Sequence, residues 1–526
     1  MLRIRSLRLV ALLASGAVVA GSSPATVVVQ QNAQQSRQEA LCRRPAALPI
    51  LPPEQVIPQL QQGGSTRAGG HSVVAPMAPP SPPSPPPPPV AAPAMSAEAD
   101  ISVTGSRVAA PAPAAPSAPE DSARATSEAS PPPPPPTGTM VHPDRYDRQW
   151  RPQAGILTAG DYDDLLNPQL YARYVRNFLR QFQQQADFPR VDTSRALTIA
   201  VHDGSGRPVP FAPVTLACAD GNRLTLQTMA DGTAVFYPDL DRLGSSVRMF
   251  VAHRGSRYGD NRVISFSGQP GHQQHSVTVS GAADQVRKFD LLVAIDTTGS
   301  MGDEISYLKT ELQAILDDLR RTHRGLDIRL SLIVYRDIGD EYVTRTFAFT
   351  SDLNSIQAQL AHQYVSGGGD YPEAMDQALI RAMNQQWRAD AVKSLLLVAD
   401  APPHDQLVGR AWAAAEVARA KRIHIVPVAA SGVADKAEYL MRAMAAATQS
   451  RYIFLTDDSG VGNPHAPPAV DCYLVTRLNR LIRRVLDSQI SGRRVEPREG
   501  EMIRSVGTYD NGRCILPPDW SLDYRQ

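Results

Sequence analysis

Two apolar runs stop at a carboxylate, and a run of glycines leads to a third. Phe289 to Ile295 is nearly continuous apolar sequence, and it ends in Asp296-Thr297-Thr298-Gly299-Ser300-Met301. Leu395-Leu396-Leu397-Val398-Ala399 ends in Asp400, and Gly367-Gly368-Gly369 leads into Asp370. Carboxylates and hydroxyls are the donors a hard divalent cation takes, in near-octahedral geometry with several waters kept. Glycines allow a loop to approach such an ion closely. Other chemistry is poorly provided for: no H-E-x-x-H, G-x-S-x-G or P-loop occurs. His404, just after Asp400-Ala401-Pro402-Pro403, is the best-placed acid or base.

The elements that must position these oxygens can be read from periodicity. A near-continuous apolar run suits a strand buried on both faces. Ile328 to Tyr335, Ser394 to Ala399 and Ile423 to Val428 are further candidates of this kind. Ile305, Leu308, Leu312, Ile315 and Leu319 mark one face of a helix after the first run. Strand and helix alternate from Lys288 onward, as in a doubly wound, Rossmann-like α/β sheet. In that architecture ligands bind at the carboxyl ends of the strands, where the polar runs fall.

Asp296-x-Thr298-x-Ser300 resembles the metal-ion-dependent adhesion site of the von Willebrand factor A (VWA) domain family, normally D-x-S-x-S. Asp400 after its apolar strand resembles the family's third loop, and Gly367-Gly368-Gly369-Asp370 stands where the second loop carries a Thr. The resemblance covers roughly 288 to 490. It implies a divalent cation, Mg²⁺ foremost with Mn²⁺ or Ca²⁺ as alternatives, held by Asp296, Thr298, Ser300, Asp370 and Asp400. Thr298 and Ser300 would coordinate directly, and Asp296 and Asp400 directly or through water. Asp370 departs from the pattern. A neutral Thr keeps the ion electron-poor and ready for a partner's carboxylate, whereas a ligating Asp370 would supply that charge from within.

The rest of the chain divides by composition. Arg3, Arg5 and Arg8 precede a short apolar stretch, Leu9 to Ala20, which reads as an export signal over residues 1–20. Prolines, 46 in all, crowd the first third. Residues 21–140 lack apolar periodicity, and a disordered Pro/Ala-rich linker is expected there. A helical lead-in follows at 141–190. It has Asn167 as N-cap, Pro168 at its first position, and a stripe of Leu170, Tyr174, Phe178 and Phe182. Period-two alternation with Asp-Gly turns predicts a β-sandwich at 191–285. Its "DGSGRPVPFAPVTL" and "ADGTAVF" runs resemble carboxypeptidase-regulatory or transthyretin-like modules. The VWA region is expected at 286–490, with a tail at 491–526.

The four cysteines, Cys42, Cys218, Cys472 and Cys514, fit no zinc spacing. A Cys472–Cys514 bridge would pin the tail to the segment before it, in a compartment that permits disulfides. Formal charge is +1, from 53 basic and 52 acidic residues, so no bulk field points to nucleic acid or an anionic membrane. No later run is apolar enough to span a bilayer. The expected function is an exported, periplasmic or extracellular, non-enzymatic protein-binding module of adhesion type that uses a divalent cation to engage another envelope or surface protein. A metal-dependent hydrolase and a structural envelope component with a purely structural ion are the alternatives.

Overall fold

A computed structural model of the chain describes residues 47–54 and 154–517, apart from 303–304, 431 and 461–464. The expected export signal, Cys42 and most of the expected linker lie outside the described residues. The strands are β1 (Thr158–Tyr162), β2 (Arg195–Asp203), β3 (Pro213–Ala217), β4 (Arg223–Gln227), β5 (Thr233–Phe236), β6 (Ser246–His253), β7 (Ser256–Ser265) and β8 (Gly271–Val279). Then come β9 (Lys288–Asp296), β10 (Asp327–Tyr335), β11 (Thr344–Thr350), β12 (Val392–Ala399), β13 (Ile423–Ala429), β14 (Tyr452–Thr456), β15 (Tyr473–Arg477) and β16 (Arg504–Val506). The helices are α1 (Pro168–Phe182), α2 (Ile305–Thr322), α3 (Leu353–Ala361), α4 (Met375–Met383), α5 (Val408–Ala420), α6 (Asp435–Ala447) and α7 (Leu478–Ser491).

The apolar runs form the centre of a nine-stranded sheet ordered β11-β10-β9-β12-β13-β14-β1-β15-β16. β10, β9, β12, β13 and β14 run parallel, and the strands outside them are antiparallel. Alternate residues of each central strand enter opposite cores, because side chains point to the two faces in turn. Leu292 and Ala294 join a core with α1, α4, α5 and α6, whereas Leu291, Val293 and Ile295 join one with α2, α3 and α7. Helices on both faces explain why these strands read as unbroken apolar sequence.

The lead-in differs from its sequence reading. β1 inserts between β14 and β15, so residues from 158 belong to the same sheet as residues beyond 450. α1 packs its stripe on α6, with Phe178 stacked on Tyr439 at 3.8 Å between ring centroids. Asn167 and Pro168 do start this helix, but the Asn167 side chain does not cap it. Its Nδ2 donates to Asp163 and Gly512 carbonyls, and its Oδ1 accepts from the Cys514 amide. That anchors the tail, which Cys472–Cys514 closes covalently. Leu474 lies in β15, and α7 begins at Leu478.

Residues 195–279 form two facing sheets, β5-β2-β8 and β4-β3-β6-β7, around their own core of Leu197, Val214, Phe236 and Met249. Cys218 is buried beside this core and is also disulfide-bonded. Arg419 of α5 ties the sandwich to the large sheet by donating to Asp241 at 2.8 Å and to the Val235 carbonyl at 2.9 Å.

His424, buried in β13, donates from Nδ1 to the Thr448 carbonyl at 2.9 Å. Burial, then the Arg422 charge, lowers its pKa from 6.5 to about 4. As pH falls through this window the unfolded chain takes up a proton that the folded chain refuses. Stability is therefore lost on acidification, by on the order of 3 kcal/mol near the lower end. His424→Asn keeps a donor for the carbonyl and should flatten this part of the dependence. Urea midpoints at neutral and mildly acidic pH test the point: equal acid sensitivity of both proteins would remove His424 as the cause.

Candidate functional site

β9, β10 and β12 end side by side, and their last residues deliver the polar groups. Asp296 closes β9 and is fully buried. Its Oδ1 accepts from the Thr298 amide at 2.9 Å and from the Thr298 hydroxyl at 2.7 Å. Oδ2 is buried and makes no short hydrogen bond, and the Tyr335 hydroxyl is the side-chain donor that faces this carboxylate. The Thr298 hydroxyl also lies 3.2 Å from that of Ser300, which is exposed. Asp400 follows β12 and is 2% exposed. Burial, and next the Asp400 charge, raises the pKa of Asp296.

The second loop reads differently from its sequence expectation. Residues 366–371 are exposed, Asp370 among them, so Asp370 is not brought into the buried group. Glu373 is brought there instead. It is 3% exposed, and its Oε2 is buried without a donor. Burial raises its pKa to about 9, with the charges of Asp296, Asp337, Asp400 and Asp340 adding to the effect. The cause is backbone pairing: the Glu373 amide donates to the Pro402 carbonyl at 2.9 Å, which draws the loop against the one following Asp400. Tyr335, at the end of β10, is buried and its ionisation is opposed by burial and by Asp296, Asp400 and Glu373.

The loops hold one another. The Gly299 amide donates to the Gly367 carbonyl at 3.1 Å, and the Ser366 amide to the Thr297 carbonyl at 3.1 Å. Asp340 accepts from the amides of Gly368 and Asp337 at 2.9 and 3.0 Å. Gly367 and Gly368 have φ of +80° and +69°, and a Cβ on Gly367 would run into the Asp340 carboxyl group. Gly367→Ala should therefore displace the loop and cost roughly 1–3 kcal/mol. Faster hydrogen exchange at the Gly368 amide would report it, and unchanged protection would show that the Asp340 anchor is dispensable.

His404 pairs with Asp337, Nε2 to Oδ1, at 2.7 Å. That bond fixes the loop after β12 to the loop after β10. Among the described residues no group of three or more His, Cys, Asp or Glu side chains is arranged to hold a metal ion. The donor chemistry nevertheless suits a hard cation: the group is all oxygen, with buried carboxylates, a Glu373 oxygen lacking a donor, and hydroxyls nearby.

Residues 290–463 match the von Willebrand factor A domain family. An ariadne-like RING finger protein of Acanthamoeba polyphaga mimivirus is 35% identical over 118 residues, 22% of this chain and 11% of that protein. An alpha-protein kinase of Dictyostelium discoideum is 30% identical over 117 residues, 22% of this chain and 19% of that protein. The chain thus spans less than a fifth of the length of these relatives. Among solved structures, BatB of Bacteroides thetaiotaomicron aligns at 16% identity and TM-score 0.27, over 38% of this chain and 98% of that one. The pilus adhesin SpaC of Lactobacillus rhamnosus GG aligns at 14% and 0.26, over 32% of this chain and 28% of that one.

Proposed function

We propose that the chain is an exported protein-binding module whose VWA face holds a divalent cation and through it engages another envelope or surface protein. The observation that carries this reading is the all-oxygen group at the carboxyl end of the sheet, where Asp296, Glu373 and Asp400 are buried together and Glu373 Oε2 has no donor. Buried carboxylates without partners are costly, and a cation removes that cost. Asp296, Thr298, Ser300 and Asp400 would hold the ion, with Glu373 in place of Asp370 as the third carboxylate. The bound ion would supply a Lewis-acidic point of attachment. Three carboxylates would more than neutralise a divalent charge, so the attachment would favour a neutral oxygen donor over a partner's Asp or Glu.

The rim has the character of an interface. Ile338, Tyr364 and Tyr371 are 51%, 53% and 43% exposed in the loops around the site. Apolar and aromatic groups around a polar centre are a common pattern of recognition surfaces. Tyr371 is held by accepting from the Ala434 amide at 2.8 Å and donating to the Gly432 carbonyl at 3.1 Å, so its ring is presented in a fixed position. The Cys472–Cys514 bridge supports an oxidising compartment. No helix among the described residues is long and apolar enough to cross a membrane.

The full chain, immobilised in Mg²⁺, should capture a distinct protein from envelope extract. Chelator or Asp296→Ala should release it, while Asp370→Asn should not. Identical capture with and without chelator would leave the ion without a role in binding.

A further inference from the structure

Residues 47–54, Ala-Leu-Pro-Ile-Leu-Pro-Pro-Glu, fall inside the segment read from composition as a disordered linker. They are laid on the folded body instead. Leu48 and Leu51 pack against the core on which Phe349 of β11 and Trp387, just beyond α4, also pack. Ile50 between them is 99% exposed. Leu48, Leu51 and Glu54 recur every third residue, and all three are partly covered. Three residues per turn is the period of a polyproline II helix, the conformation three prolines in eight residues favour.

The end of the segment is held by polar contacts specific to a carboxylate. Glu54 Oε1 accepts from the hydroxyls of Thr344 at 2.9 Å and Thr346 at 2.6 Å. Oε2 accepts from the Thr346 amide at 3.1 Å, and Arg381 of α4 forms an ion pair with Oε1 at 3.4 Å. Arg381 also donates to the Pro52 carbonyl. β11 is an edge strand, and the Thr346 amide is a donor such an edge turns outward. The carboxylate covers it without adding a strand. Thr344 is the register partner of Tyr335, so the Glu54 end lies at the same end of the sheet as the buried carboxylates.

We propose that the β11–α4 edge is a recognition groove for a proline-rich peptide of the form Leu-x-x-Leu-x-x-Glu, and that residues 47–54 are its resident, intramolecular ligand. Apolar side chains at every third position, Leu48 and Leu51 in the resident segment, pack on the apolar core. Thr344, Thr346 and Arg381 select the terminal carboxylate. The rigid, pre-extended chain keeps the ordering cost of such a ligand low, which is the usual advantage of polyproline recognition. This site is independent of the cation proposed above.

The test uses the full chain and a fluorescent peptide covering residues 45–56. A Leu51→Ser/Glu54→Ala variant should vacate the groove and bind the peptide, while wild type should refuse it. Adding Arg381→Ala should weaken that binding about tenfold, the scale of a lost charge-assisted contact. Glu54→Gln, a milder change, should speed hydrogen exchange at the Thr346 amide while leaving Val293 in the sheet centre protected. Peptide binding to wild type and vacated protein alike would overturn the proposal. So would no binding to the vacated protein together with unchanged exchange at Thr346.

Discussion

Arg442→Met should destabilise the chain by about 3–5 kcal/mol, the scale for breaking a buried ion pair from one side. Arg442 is 1% exposed on α6. Its Nη2 and Nε donate to Asp164 at 2.7 and 3.0 Å, and its Nη1 to Glu438 at 3.0 Å and to the Ala469 carbonyl at 2.7 Å. The guanidinium also lies over the Tyr174 ring at 3.8 Å. Methionine approximates the stem but leaves Asp164 buried with its charge uncompensated. Burial already raises the Asp164 pKa, with Arg442 opposing it. Glu438 suffers less, because it also accepts from the Ala469 amide at 3.0 Å. Arg442→Met/Asp164→Leu should therefore regain much of the loss, since apolar replacement of both partners removes the stranded charge. Urea unfolding of the wild type, both single variants and the double closes the cycle. Additive losses would show that the pair is not coupled.

This cluster also shows where sequence reading stops. Asp164 and Arg442 are 278 residues apart, and nothing local marks either as a partner. β1 is equally opaque, because Thr-Ala-Gly-Asp-Tyr has no apolar run or clean alternation, and its strand is defined by β14 and β15. The central strands were legible because burial on both faces leaves them almost no polar positions. Their polar terminators, Asp296 and Asp400, were legible for the same reason: a carboxylate directly after an unbroken apolar run stands out. The second loop was not. Asp370 looked like the ligand because it follows the glycines, but the inward turn comes after Pro372, where the Glu373 amide meets the Pro402 carbonyl. No local periodicity encodes that contact between two loops. Residues 47–54 were misread for a related reason. Composition showed their proline content, while their period of three carries weight only once a surface for it to face is known.

Saturating Mg²⁺, Mn²⁺ or Ca²⁺ should raise the thermal midpoint of the full chain, with a gain of about 2.7 kcal/mol when the ion stands at a hundred times its dissociation constant. The reason is geometric. Asp296, Glu373 and Asp400 are buried together, Glu373 leaves one oxygen without a donor, and Asp400 acts on both of the other carboxyls. Like charges this close oppose one another until a cation enters. Asp296→Ala should abolish the ion-dependent gain, because it removes both a donor and the anchor that fixes the Thr298 hydroxyl at 2.7 Å. The informative comparison is between the two acids of the second loop. Glu373→Gln should weaken ion binding strongly, since a cation can displace the proton of Glu373 and gain a carboxylate, which an amide cannot supply. Asp370→Thr restores the residue type of the adhesion pattern, yet it should leave the ion's affinity nearly unchanged, because Asp370 is exposed. Calorimetric titration of the four proteins decides the matter. Strong loss in Asp370→Thr with none in Glu373→Gln would return the role to Asp370. No ion-dependent stabilisation in the wild type would remove the cation from the function altogether.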